Sequence, residues 1–151
     1  MEEKFINFLK EAELYNEEVL EYIKPNTVKV DYSPEAIDFI GCFPVTDENN
    51  KLRAIRMCVP KMIDDITVAI NIHEYVHLLM IYRSLNKEYE EPKDAELMPV
   101  YYELAYLKEN NLDDYLNYYL EHIKEQDNYL RILLDIFAKD DNKIKEKKHE
   151  Q

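Results

Sequence analysis

The sequence predicts a mostly helical α+β fold: an N-terminal helix, a small three-stranded antiparallel sheet, an active-site helix, a glutamate-bearing helix and a C-terminal helix. Three observations predict it. Short apolar segments that alternate with polar residues are confined to residues 27–59. After Pro60 the apolar residues recur at intervals of three and four. The chain has 151 residues, 46% of them hydrophobic, which suits one domain with its own core and requires no second. That domain is expected to cover residues 1–138, with residues 139–151 as a charged tail.

Each element follows from local pattern. Lys4 to Tyr22 sets Phe5, Phe8, Leu9, Ala12 and Val19 among acids, an amphipathic opening helix that Pro25 closes. Thr27 to Tyr32 alternates Val28 and Val30 with polar residues. Ala36 to Phe43 is apolar and holds the only glycine, Gly41. Lys51 to Val59 alternates Leu52, Ala54 or Ile55, Met57 and Val59. A polar turn, Thr46-Asp47-Glu48-Asn49-Asn50, separates the last two, so an antiparallel unit is the simplest arrangement. Asp64 or Asp65 suits the N-cap of a long helix from about Ile66 to Leu85, and Asn86 to Pro92 reads as its exit loop. Further helices are expected from near Asp94 to Glu109 and from Asp113 to about Phe137, the last with a break near Asp127-Asn128. Lys139 to Gln151 reads as a frayed helix or disordered tail.

Composition narrows the function classes. A net charge of −13 disfavours nucleic acid and anionic membranes as partners, because both are bound through basic patches. No segment is apolar for long enough to span a bilayer, and Met1 runs into Glu2-Glu3 rather than a basic leader, so a cytoplasmic protein is expected. Cys42 and Cys58 are the only cysteines. They could face each other across a hairpin, but without an export signal they read as small buried hydrophobes.

The sequence His73-Glu74-Tyr75-Val76-His77 carries the chemistry. On a helix, residues four apart share a face, so His73 and His77 can present imidazole nitrogens to one zinc ion. Glu74 lies beside the metal without ligating it, where it can act as general base toward a zinc-activated water and return the proton to a leaving amine. The bland reading is a pair of surface or hydrogen-bonded core histidines. Against it, Ile66, Ala69, Ile70, His73, His77 and Ile81 recur at helical spacing, which sets both histidines on an apolar, inward stripe.

A catalytic zinc typically takes three protein ligands and leaves a fourth position open. A metzincin-type site would place a third histidine six residues after His77, where this chain has Arg83. His122 and His149 lie far downstream, so a carboxylate is the better candidate. Glu88, Glu90 and Glu91 fall in the exit loop. Glu96 opens the next helix after eighteen intervening residues, enough for the chain to turn back alongside the first. Glu103, seven residues on, shares its face. The competing role for Glu96 is a capping acid on a solvated first turn.

With these residues in place the chain resembles the gluzincin metallopeptidases. Glu96-Leu97-Met98-Pro99-Val100-Tyr101-Tyr102-Glu103 is similar to the second-helix motif of the thimet oligopeptidase and oligoendopeptidase F group. That resemblance implies Glu96 as third zinc ligand and Glu103 as a support acting through a ligand histidine, which would fix its tautomer. It covers about Lys51 to Leu107 only, so the nearer analogy is to the minimal, single-domain gluzincins (minigluzincins), with a zincin-like core. Tyr75 and Val76 stand where members often carry glycine.

The expected function is therefore a zinc-dependent metallopeptidase acting on a peptide or unfolded protein. Its oxyanion is expected to be stabilised by a further donor, for which Tyr102 and His122 are the candidates. The alternative is a catalytically silent or self-blocked zinc-binding domain with a structural or regulatory role, because minimal gluzincins can have their cleft filled by their own chain.

Overall fold

The computed structural model describes residues 1–33, 39–83 and 96–126, with side chains described to residue 121. Backbone contacts divide the chain into two units, 1–106 and 107–151. The exit loop, the end of the last helix and the charged tail expected from the sequence fall outside the described residues.

In the first unit, α1 (Glu2–Glu11) and α2 (Glu17–Ile23) lead through a 3₁₀ turn (Lys24–Asn26) into the sheet. The single helix expected over Lys4 to Tyr22 is thus two. Glu13 adopts a left-handed backbone (φ 59°), and Leu14 N–H turns back to the Leu9 carbonyl at 2.8 Å, which ends α1. Asn16 then caps α2, its side-chain oxygen accepting from Val19 N–H at 3.2 Å.

The sheet contains β1 (Thr27–Val30), β2 (Gly41–Thr46) and β3 (Leu52–Pro60) in the order β1-β3-β2. It is mixed, and the antiparallel expectation needs correcting: β1 pairs parallel with β3, and only β2 pairs antiparallel. The reason lies in β3, the longest and most buried strand, which takes a neighbour on each edge. Val30 pairs with Pro60 and Gly41 with Cys58, so β1 ends and β2 begins at the same end of β3. β2 also begins later than expected, at Gly41 rather than Ala36, and Pro34 to Asp38 lie outside the described residues.

Between Val45 and Thr46 the β2–β3 register shifts, leaving Arg53 as an extra residue. This shift decides between Ala54 and Ile55: Leu52, Ile55, Met57 and Val59 are the buried set, at most 5% exposed, because the bulge returns Leu52 to their face. Arg53 is turned out to Asp47, with its Nη2 2.7 Å from Oδ2. Asp47 also accepts from the N–H groups of Asn49 and Lys51, building the predicted turn. Cys42 lies opposite Met57 and Cys58 opposite Gly41, so the two cysteines are on opposite faces of the sheet, and both are free.

The helix α3 (Asp65–Tyr82) begins at a capping box. Asp64 accepts from Thr67 N–H at 2.8 Å, and Asp64 N–H donates to the Thr67 hydroxyl at 3.0 Å. Asn71 ties the helix to the sheet by donating to the carbonyls of Pro60 and Thr67. The inward stripe also needs correcting. Of the predicted stripe Ala69 is fully buried, and the His73 and His77 side chains are 13% and 15% exposed, but Ile66, Ile70 and Ile81 are also only partly covered, and the deepest positions include Val68, Ile72, Val76 and Leu78. α1, α2 and the sheet all contact α3.

α4 (Leu97–Glu109) follows. Tyr106 on it donates to Asp65 Oδ1 at 2.7 Å, while Lys4 approaches the same oxygen at 3.0 Å, linking α1, α3 and α4 at one carboxylate. In the second unit, Asn111 (φ 59°) ends the helix before α5 (Asp113–Gln126), where Tyr115 stacks on Tyr119. Among the described residues, no helix is long and apolar enough to cross a membrane.

The Tyr106 hydroxyl first, and Lys4 after it, holds the Asp65 carboxyl below its usual range. A depressed carboxyl stabilises the fold above its unfolded value of about 3.9, and that contribution is lost as pH falls through the folded value. Tyr106→Phe is expected to cost about 1 kcal/mol at pH 7. Urea denaturation should show the gap between parent and variant narrowing toward pH 3.

Candidate functional site

The site lies wholly within the first unit. His73 and His77, one helical turn apart on α3, hold their rings 5.0 Å apart between centroids. Glu96 immediately precedes α4 and forks toward both: Oε2 lies 3.1 Å from His73 Nε2, and Oε1 lies 2.9 Å from His77 Nε2. Its backbone carbonyl accepts from Val100 N–H, so Glu96 stands at the N-terminal end of α4 rather than inside it. Pro99 suits this first turn, where a missing N–H costs nothing.

Glu103 reaches the other nitrogen of the same ring. His73 Nδ1 donates to Glu103 Oε1 at 2.8 Å, and Glu103 is only 4% exposed. This bond places a proton on Nδ1, and the opposite ring nitrogen, Nε2, faces Glu96. Seven residues along α4, about two turns, separate Glu96 from Glu103, so one helix face contacts both edges of one imidazole.

These residues fit a zinc ion on their own chemistry. Two imidazole nitrogens and one carboxylate oxygen form a borderline-soft donor set suited to zinc. The three donor atoms lie within 4.8 Å of one another.

The electrostatics separate the carboxylates. Burial disfavours a charged His73, yet its hydrogen bonds to Glu103 and Glu96 outweigh this and push it up to about 10. The same bonds from His73 and His77 hold Glu96 well below the usual carboxylate range. Glu74 behaves differently: burial pushes it upward, and the adjacent imidazoles only partly oppose the shift. Glu74 is 8% exposed; its carboxylate makes no hydrogen bond among the described residues, and its oxygens are not sealed from solvent.

Of the residues singled out in the sequence, the structure brings His73, His77, Glu96 and Glu103 together and sets Glu74 beside them. It does not bring Tyr102 into a hydrogen bond with them. Tyr102 is half-buried, with its ring edge-on to Tyr101 at 5.2 Å. His122 lies on α5 in the second unit, and its side chain is outside the described residues.

Two residues acquire roles the sequence reading did not give them. Tyr75, inside the motif, is 1% exposed; its hydroxyl donates to the Leu14 carbonyl at 2.7 Å and accepts from Asn16 N–H at 3.1 Å. It clamps the α1–α2 bend to α3. Cys42 on β2 is pushed up to about 12 by burial and then by the charge of Glu74, so β2 runs within the field of that carboxylate. A large aromatic at a position facing away from both histidines was the available signal for Tyr75. No local signal pointed to Cys42.

Compared with known proteins, the chain matches no family model, no curated protein and no solved structure.

If Glu103 orients His73 for metal, removing its charge weakens binding while leaving all three donors in place. Glu103→Gln is expected to lower zinc affinity about tenfold in a competition titration with a chromophoric chelator. The melting temperature without metal reports separately on any loss of packing.

Proposed function

We propose that this protein is a zinc-dependent metallopeptidase of the gluzincin type, in which His73, His77 and Glu96 hold the metal and Glu74 is the general base. The observation that carries this reading is the state of Glu74. A buried carboxylate that merely stabilised the fold would be hydrogen-bonded, as Glu103 is. Glu74 has no such partner among the described residues, and it adjoins a group of candidate zinc ligands.

When bound, zinc supplies Lewis-acid activation of water and of the scissile carbonyl. The chain's own residues do the rest. Glu103 accepts the Nδ1 proton of His73 and fixes the ring. Glu74, its affinity for a proton raised by burial, takes a proton from the attacking water and delivers it to the leaving amine. An extended peptide or a segment of unfolded protein suits the site, because β2 is an edge strand beside Glu74 and can offer backbone groups to it. We place this activity in the cytoplasm, where free thiols such as Cys42 and Cys58 persist.

Glu74→Gln tests the reading. The variant is expected to bind zinc with parental stoichiometry by elemental analysis, yet to cleave a fluorogenic peptide library at least about a hundredfold more slowly. Cleavage at the parental rate would show that Glu74 is not the base. A parent protein that binds zinc and melts lower after chelation, but cuts nothing in the library, would instead be a silent zinc domain.

A further inference from the structure

The active-site helix has a second face, turned away from the histidines, and it borders a cavity of about 490 Å³. That volume lies within the roughly 300–1,000 Å³ range of small-molecule sites. Phe5, Ile6, Leu20, Met57, Val59 and Met62 give it apolar walls. Asn71 and Tyr75, each two residues from His73, form its boundary on α3.

Two polar features say what it can hold. Asn71 is 7% exposed, and its Nδ2 donates to two carbonyls, of Pro60 and Thr67, both at 2.9 Å. Both partners are acceptors, so the amide orientation is fixed. Its Oδ1 is left as an acceptor with no partner among the described residues. The exposed lining residues form the mouth, which carries Glu2, Glu17 and Glu21 against Lys24 and Lys29. Lys24 pairs with Glu21 at 3.5 Å, leaving two carboxylates against one ammonium.

We propose that this cavity is a binding site, separate from the histidine centre, for an apolar molecule bearing a hydrogen-bond-donating, cationic amine. The apolar body occupies the space beside Met57 and Met62. The amine donates to Asn71 Oδ1 or to the mouth carboxylates, whose surplus negative charge disfavours an anionic head of the same length.

Methyl-detected NMR of the full-length protein, with labelled methionines, tests this using n-octylamine and octanoate as probes. Octylamine is expected to shift Met57 and Met62 saturably, with octanoate about fivefold weaker. Leu20→Trp, which fills the cavity from α2, is expected to abolish the shifts while melting cooperatively. The Glu2→Gln/Glu17→Gln variant, altered only at exposed positions, should bring the two probes closer in affinity. The proposal is overturned if folded parent protein shows no saturable shift at these methyls. Equal affinity for octanoate in the parent, or undiminished octylamine binding by folded Leu20→Trp protein, overturns it as well.

Discussion

The hydrogen bond from His73 to Glu103 is the constraint on which the rest of the site depends. A carboxylate that is 4% exposed is costly to bury unless its charge is met, and His73 is the group that meets it. Satisfying Glu103 fixes more than one bond. It sets the register of α4 against α3, and that register carries Glu96, two turns earlier, to the Nε2 edge of the same ring. The third donor therefore reaches the histidines because the helix bearing it is anchored elsewhere, at a buried point.

α3 has to serve two environments. Its buried positions join α1, α2 and the sheet, and its half-buried histidine face looks out toward Glu96. The helix is held at successive levels: the Asp64–Thr67 box at its start, Asn71 on the carbonyl of Pro60, and Tyr75 on the backbone of Leu14 and Asn16. Each anchor lies on a face other than the histidine one. Histidines held this way keep their positions through the helix's own anchors, which would suit a preorganised centre.

How much of this was legible in the sequence depended on the range of the interaction. The H-E-x-x-H spacing is local, so His73 and His77 could be paired from five letters. Glu96 and Glu103 were legible because a seven-residue interval on a helix specifies a shared face. The order of the strands was not, since alternation tells which face a residue takes and says nothing about which neighbour its strand chooses. The bulge at Arg53 was hidden for a related reason: both Ala54 and Ile55 continue an apolar pattern, and only the pairing with Thr46 and Val45 decides between them. The break after α1 had a readable cue in Asn16-Glu17-Glu18, a capping residue followed by acids. The apolar spacing on either side, in helical phase, masked it.

The two buried acids near the histidines show how environment separates residues of one chemical type. Glu103 spends its charge on a single donor and becomes a fixed part of the scaffold. Glu74 is buried to nearly the same degree, and the described residues give it no donor. Burial raises its proton affinity, and the neighbouring carboxylates Glu96 and Glu103 add to that rise while the imidazoles subtract from it. A group balanced in this way can gain and lose a proton without breaking a structural bond. Division of labour between identical side chains thus follows from where hydrogen-bond donors stand, and α3 and α4 supply a donor to one acid and withhold it from the other.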